Sequence, residues 1–381
     1  EGAAYDPGQM TQDEAIVILK GGRSVFLTGE PGSGKSYVAS RFVSHLRGRG
    51  GAIGLTASTG VAAAHLGGMT VHAWSGIGTK SELSHADLDR IAKNRRVSER
   101  IRKADALVID EISMLSGQTL ALIGLVCRHV RKSSEPFGGL QVVLVGDFFQ
   151  LPPVIRRDER GGAHEESQDR EDLSPFAHAA RAWRELDPAV CYLTEQHRQT
   201  DPTFSALLTE LRSNRFAAGR EHLEGRRARS DALPPGVTRL FTHNLDVDRI
   251  NLAELAKLPG ETRTFAMSAT GDALLAEGLK RGCLSPERLC LKIGATVMFT
   301  KNDPEGRYVN GTLGTVVEFD DGDEGFPLVA ARSGGVILAK AADWKVSEDD
   351  MVKASITQVP LRLAWAITVH KSQGMSLDAA V

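Results

Sequence analysis

The segment Gly29-Glu30-Pro31-Gly32-Ser33-Gly34-Lys35-Ser36 is the part of this chain best equipped for chemistry. It fits the order G-x-x-x-x-G-K-[ST] and directly follows the apolar run Val25-Phe26-Leu27. Glycines let the backbone wrap closely, so that successive N–H groups can point at phosphate oxygens. The helix expected next turns its positive end to the same anion. Gly29, Pro31, Gly32, Ser33, Gly34, Lys35, Ser36 and Tyr37 are therefore read as a nucleotide-binding segment. Lys35 would neutralise the β- and γ-phosphates, and Ser36 would offer its hydroxyl to Mg²⁺.

Two further sets lie at the ends of apolar runs. Ala106-Leu107-Val108-Ile109 ends in Asp110-Glu111, and carboxylates at such a strand end sit beside the phosphate loop of a parallel sheet. Asp110 would hold Mg²⁺, directly or through water, while Glu111 would orient and deprotonate an attacking water. The plainer alternative is a pair of exposed acids capping a strand. Gln141-Val142-Val143-Leu144-Val145 runs into Gly146-Asp147-Phe148-Phe149-Gln150-Leu151-Pro152-Pro153-Val154, which places Gln150 to touch the γ-phosphate or the lytic water. On its own, a glutamine before prolines is an ordinary turn residue.

The elements that must position these groups follow from periodicity. The first half alternates strand-like runs, residues 24–28, 52–56, 106–110 and 141–145, with amphipathic stretches, which predicts an α/β parallel sheet. Val38, Phe42 and Leu46 share one helical face beside Ala39 and Val43, and Leu120, Ile123, Cys127 and Val130 form another stripe. Residues 76–103 are dense in charge and read as a helical insertion with a solvated face. Residues 156–172 read as a polar surface loop. A second α/β pattern starts near Glu195, with a strand over 239–242 and a helix through Val247, Ile250, Leu252 and Leu255. From 289 to 344 the character changes to short β runs, 295–300, 313–319, 328–331 and 336–339. Asn310-Gly311, Asp321-Gly322 and Gly334-Gly335 are the turn signals between them. Residues 360–374 return to α/β character.

The bulk numbers agree with a multidomain soluble protein. At 381 residues, two or three domains are expected, and 41% hydrophobic with 25% charged residues is globular composition. No apolar stretch is long enough to span a bilayer and no signal peptide opens the chain, so a membrane role is not expected. Its start, Glu1-Gly2, reads as cut from something longer or as an added remnant. Cys127, Cys191, Cys283 and Cys290 show no C-x-x-C spacing, which argues against a zinc site or disulfide framework and fits a reducing cytosolic setting. A net charge of −2 announces no nucleic acid, although a groove can be basic on a neutral molecule.

The Gly146–Val154 string, Thr56-Ala57-Ser58-Thr59-Gly60-Val61-Ala62-Ala63 and His370-Lys371-Ser372-Gln373-Gly374 together resemble the Pif (petite integration frequency) family of superfamily-one DNA helicases. Residues 131–141, with Pro136-Phe137-Gly138-Gly139-Leu140-Gln141, look like the signature separating that family from its RecD relatives. The match runs from about Met10 to the end, with motifs in the expected order. The resemblance implies two RecA-like parallel-sheet P-loop motor domains, 1–195 and 196–288 with 345–381, and a small SH3-like β insert at 289–344. It implies ATP bound between the motor domains, single-stranded DNA lying across both, and 5′-to-3′ movement. Arg198, in Glu195-Gln196-His197-Arg198-Gln199, would reach the γ-phosphate as an arginine finger. Gln12, in Met10-Thr11-Gln12-Asp13-Glu14, resembles the adenine-reading glutamine, though a polar helix cap fits Thr11 and Gln12 equally well. Ser58, Thr59, Gly60 and His72 correspond to DNA contacts of the first domain, and Thr368, His370, Lys371 and Ser372 to those of the second. The insertion after Trp74 resembles a wedge at the duplex junction. Implied partners are forked or structured DNA, met by a monomer in the bacterial cytoplasm (nucleoid), or in the nucleus or mitochondrion of a eukaryote. Family members continue past Val381 into a last motif whose second arginine contacts the γ-phosphate, and its loss would impair hydrolysis. The rival readings are a RecD-like or relaxase-associated helicase, a P-loop ATPase that remodels proteins, and a non-catalytic DNA clamp.

Overall fold

A computed structural model describes residues 10–78, 80–153, 176–195, 202–214, 219–225, 237–322, 324–332, 334–348, 351–373 and 381. The chain divides into two units, Glu1–Glu224 and Gly225–Val381. The expected polar loop at 156–172 lies outside the described residues.

In the first unit the strands are β1 (Val25–Gly29), β2 (Ile53–Ala57), β3 (Met69–Thr70), β4 (Ala106–Asp110), β5 (Gln141–Val145) and β6 (Ala189–Leu193). They form one sheet in the order β3-β2-β4-β5-β1-β6, and every pairing is parallel. The four predicted strands are all present. β1 is buried along its whole length, as a central parallel strand covered on both faces must be. One face packs on α1 (Gln12–Lys20) and α2 (Lys35–Gly48) through Ile16, Leu19, Val38 and Phe42. The next helices are α3 (Gly60–Leu66), α4 (Val71–Ser75), α5 (His85–Lys93), α6 (Arg95–Lys103), α7 (Gly117–Arg131), α8 (Arg181–Leu186), α9 (Pro202–Arg212) and α10 (Gly219–Gly225). Trp74, Ile101, Leu120 and Ile123 from this group, with Phe137 of the turn after α7, fill the core on the other face.

The charged insertion is α5 and α6. Leu88, Ile91, Val97 and Ile101 turn inward to join Trp74, whereas Arg90, Lys93, Arg95, Arg96, Arg102 and Lys103 are exposed. Each helix has a sequence-encoded start: Ser84 and Asp87 make a reciprocal capping box, and Asn94 caps α6.

The Pro136–Gln141 signature has a structural task. Arg131 donates from Nε to the Gly138 carbonyl at 2.7 Å, and from Nη1 to the carbonyls of Ile101 and Ala104, each at 3.0 Å. One guanidinium thus ties the end of α7, the end of α6 and the signature turn. Gly138 has φ +66°, and a Cβ there would lie 2.7 Å from the Cys127 carbonyl oxygen, so only glycine fits. Arg131→Ala is expected to destabilise the first unit by about 2–3 kcal/mol, because several carbonyls lose a charged donor together. Urea unfolding of the variant measures this, and an unchanged midpoint would contradict it.

The second unit contains β7 (Arg239–Phe241), α11 (Asn244–Lys257), β8 (Arg263–Ala266), β9 (Ser268–Gly271), α12 (Ala273–Gly282), β10 (Arg288–Leu291), β11 (Thr296–Phe299), β12 (Leu313–Phe319), β13 (Pro327–Ala331), β14 (Val336–Leu338), β15 (Ala342–Glu348), β16 (Met351–Gln358), β17 (Leu361–Leu363), β18 (Ala366–Thr368) and α13 (Val369–Ser372). β7 and β18 pair in parallel, with α11 packed beside them. The rest is antiparallel: a five-stranded sheet β14-β13-β12-β11-β17, a three-stranded sheet β15-β16-β9, and the pair β8–β10.

Antiparallel pairing is therefore wider than the 289–344 read from sequence, running from Arg263 to Leu363. β16 explains the difference. It pairs with β15 next door and with the far more distant β9, Ala354 opposite Gly271, a partnership no local pattern reveals. Asn310-Gly311 is not a two-residue hairpin turn. It closes a longer β11–β12 connection, where Gly311 donates to the Phe299 carbonyl at 2.9 Å.

Candidate nucleotide-binding site

The phosphate loop links β1 to α2, as the motif requires. Gly34 takes φ +87°, and a Cβ there would meet the Gln12 side chain. Gln12 donates from Nε2 to the Ser33 carbonyl at 3.3 Å. Thr11 is the cap of α1, in a capping box with Glu14, so Gln12 is not the capping residue and lies against the loop. Lys35 folds back and donates to the carbonyls of Gly29 at 2.8 Å and Glu30 at 3.0 Å. Burial pulls its ammonium below the ordinary lysine value; Asp147, Glu111 and Asp110 oppose this and Arg212 adds to it. All four side chains thus act electrostatically on Lys35. Ser33 is fully buried, and its hydroxyl has no partner among the described residues. An orphaned buried hydroxyl inside a glycine loop fits a site for an oxyanion. Ser36 stands exposed on the first turn of α2. Tyr37 is also exposed and lies 5.7 Å beneath Arg41, which pairs with Asp13 at 2.6 Å.

Asp110 ends β4, and its Oδ1 accepts the Glu111 N–H at 2.8 Å. Burial pushes its carboxyl above the ordinary aspartate value. Glu111 sits at φ +53°, a left-handed conformation uncommon for a glutamate and a form of strain that gathers at functional sites. The bend is held from β2: Ser58 donates from N to the Asp110 carbonyl at 3.0 Å and from Oγ to the Glu111 carbonyl at 2.8 Å.

Sequence reading passed over Asp147 and Arg212. Asp147 is 1% exposed, and Arg212, at the end of α9, reaches its Oδ2 at 2.7 Å while being only 14% exposed itself. Gln150 leans on the same carboxylate, with Nε2 to Oδ2 at 3.4 Å and N to the Asp147 carbonyl at 3.0 Å. Phe148 anchors the segment against Phe26 and Trp183, and Phe149 lies outward with the Arg212 guanidinium 4.3 Å from its ring. Asp147 could have been suspected from its neighbour Gln150. Arg212 carries no local signal.

Of the other predicted residues, Arg198 lies outside the described residues. Thr59 accepts the Ala62 N–H at 3.2 Å, and Gly60 begins α3. His72 is in α4, where burial lowers its pKa and favours the neutral ring. In the second unit, α13 brings His370, Lys371 and Ser372 together, with Thr368 capping it through Lys371 N–H at 3.3 Å.

The stretch that carries this loop, the strand-end acids and the Asp147–Gln150 turn falls within one family's model. The model described as PIF1-like helicase matches residues 9–218. The chain belongs to the PIF1-like helicase family. The model described as DNA helicase Pif1, 2B domain, matches residues 275–319. The ATP-dependent DNA helicase Pif1 of a Psychrobacter species is 38% identical over 427 residues, covering 97% of this chain and 63% of that protein. The chain thus spans less than two thirds of that relative. A crystal structure of Bacteroides sp Pif1 in complex with ADP-AlF4 superimposes with TM-score 0.81 at 30% identity, covering 100% of this chain and 86% of the other. Bacteroides Pif1 bound to ssDNA superimposes with TM-score 0.60 at 30% identity, over 100% and 86% of the two chains. PIF1-like membership excludes the RecD-like reading. Among the described residues no helix is long and apolar enough to cross a membrane, and all four cysteines are free.

Proposed function

We propose that this chain is the motor of an ATP- and Mg²⁺-dependent 5′-to-3′ DNA helicase. The observation that carries the reading is the convergence of Lys35, Asp110, Glu111 and the Asp147–Gln150 segment beside one phosphate loop. ATP is the substrate of that loop. Lys35 exchanges its two carbonyl partners for phosphate oxygens, and Glu111 takes the proton of the attacking water. Ser36 and Asp110 offer the hard oxygen donors that suit Mg²⁺, which when bound neutralises phosphate charge. Gln150 reports whether the γ-phosphate is present, and Arg198 serves as the arginine finger.

A solved structure shows Bacteroides Pif1 bound to ssDNA; here Ser58, Thr59, Gly60 and His72 of the first unit and Thr368, His370, Lys371 and Ser372 of the second are the residues we assign to DNA contact. Motor work is divided between the α/β sheet of the first unit and the β7–β18 element of the second, with the antiparallel strands as the insert. The protein works as a monomer on forked or structured DNA in genome maintenance, in the nucleoid if bacterial and in the nucleus or mitochondrion if eukaryotic.

Steady-state ATP hydrolysis with and without an oligo-dT strand tests this reading. Hydrolysis should rise severalfold with the strand, and Glu111→Gln should lower kcat by ~10²–10⁴ while nucleotide affinity holds. A rate indifferent to DNA would favour a protein-remodelling ATPase instead. Unwinding only of duplexes with a 3′ tail would reverse the proposed polarity.

A further inference from the structure

β17 pairs with β11 so that Arg362 lies opposite Met298. Leu361 and Leu363, on either side, turn into the core of the five-stranded sheet, so alternation sends Arg362 to the other face. There it is 7% exposed, and its Nε is buried with no hydrogen-bond partner among the described residues. The groups that face it are few. Asp248 of α11 and the Cys283 thiol act on it electrostatically, and Lys371 of α13 is a like charge. Among the described residues Arg362 forms no salt bridge with Asp248, which is exposed. Burying a guanidinium Nε without an acceptor, beside a second cation, is costly, and an oxyanion would relieve it. Lys371 is also half-buried, and burial followed by the charge of Arg362 lowers its pKa. Two partly desolvated cations from β17 and α13 thus lie together, with the exposed Asp248 carboxylate acting on both.

We propose that Arg362 and Lys371 jointly hold a phosphodiester of the single strand, with the guanidinium fork setting the position of the backbone and Lys371 adding charge. This rests on the DNA-binding reading given above and adds to it a residue outside the His370–Gly374 motif. Arg362 would fix where along the strand the second unit grips, without reading sequence.

The test is fluorescence anisotropy of a labelled oligo-dT strand bound by the full chain across a salt series. Arg362→Gln should weaken binding roughly tenfold and flatten the log–log salt slope by about 0.7, the share of one phosphate contact on a single strand. Arg362→Lys should restore the slope and only part of the affinity. A fluorescent ATP analogue should bind both variants as it binds wild type, which separates strand phosphate from nucleotide phosphate. Asp248→Asn should keep or strengthen DNA binding. If Arg362→Gln leaves affinity and slope unchanged, or Asp248→Asn weakens DNA binding as much as Arg362→Gln does, the arginine is a structural partner of Asp248 and the proposal fails. If wild type itself ignores the strand, the DNA-binding reading falls with it.

Discussion

Lys35→Ala is expected to lower ATP turnover by at least ~10²–10³-fold and nucleotide affinity by roughly tenfold or more, with the fold intact. In the present state the ammonium spends its donors on the carbonyls of Gly29 and Glu30. Gly29 is buried at the end of β1 and Glu30 is half-buried, so losing the lysine leaves the Gly29 carbonyl short of a donor, at a cost of about 1–3 kcal/mol that the fold should survive. What is lost is a buried cation already in place where negative charge gathers on the β- and γ-phosphates. Asp147, Glu111 and Asp110 all act on that cation, so the variant also leaves Glu111 and Asp110 facing an incoming polyanion without it, while Asp147 keeps its Arg212 partner. Titration with a fluorescent nucleotide, steady-state kinetics and a thermal melt measure the three quantities together. Unchanged affinity and turnover would sink the assignment of the loop.

Arg212→Ala is expected to have the largest effect on stability, about 3–5 kcal/mol, because it leaves the Asp147 carboxylate buried without its cation. Asp147 is 1% exposed, so water cannot replace the guanidinium. A loss of that size is a large part of a typical domain's stability, so activity alone does not separate a lost role from misfolding in the single variant. Asp147→Asn combined with Arg212→Met removes both charges and should recover most of the stability. Turnover of the pair should stay about tenfold low, since Gln150 hangs on the Asp147 carboxylate through Nε2 and loses its fixed position. Urea unfolding of Asp147→Asn, Arg212→Met and the pair gives the coupling directly. A coupling below about 0.5 kcal/mol would show the two residues to be independent.

The phosphate loop was legible because its chemistry is contiguous: glycines, lysine and serine must follow one another for the backbone to wrap an anion. Asp110 and Glu111 were legible for a related reason, as an apolar run that ends in two acids has few other meanings beside such a loop. The Asp147–Arg212 pair was not, because its partners stand 65 positions apart. Arg212 reads in sequence as the charged end of an amphipathic helix, and only the return of α9 to the sheet makes it part of the site. The sheets of the second unit were hidden in the same way. β12, β13 and β14 are sequential and announced by turns, whereas β9 meets β16 only through tertiary pairing. The role of Arg131 was likewise invisible, since its acceptors are carbonyls and carry no side-chain code.

Ser58 joins two neighbouring bends by a pair of hydrogen bonds, to the carbonyls of Asp110 and Glu111. Behind it, the buried Thr56 hydroxyl donates to the Val108 carbonyl at 2.7 Å, so the two strands cannot slide independently. The loop leaving β2 is therefore a lever whose short arm carries the strained glutamate. A ligand that favoured one setting of the loop would bias Glu111 through these two bonds, and by reciprocity the state of Glu111 would bias the loop by the same free energy.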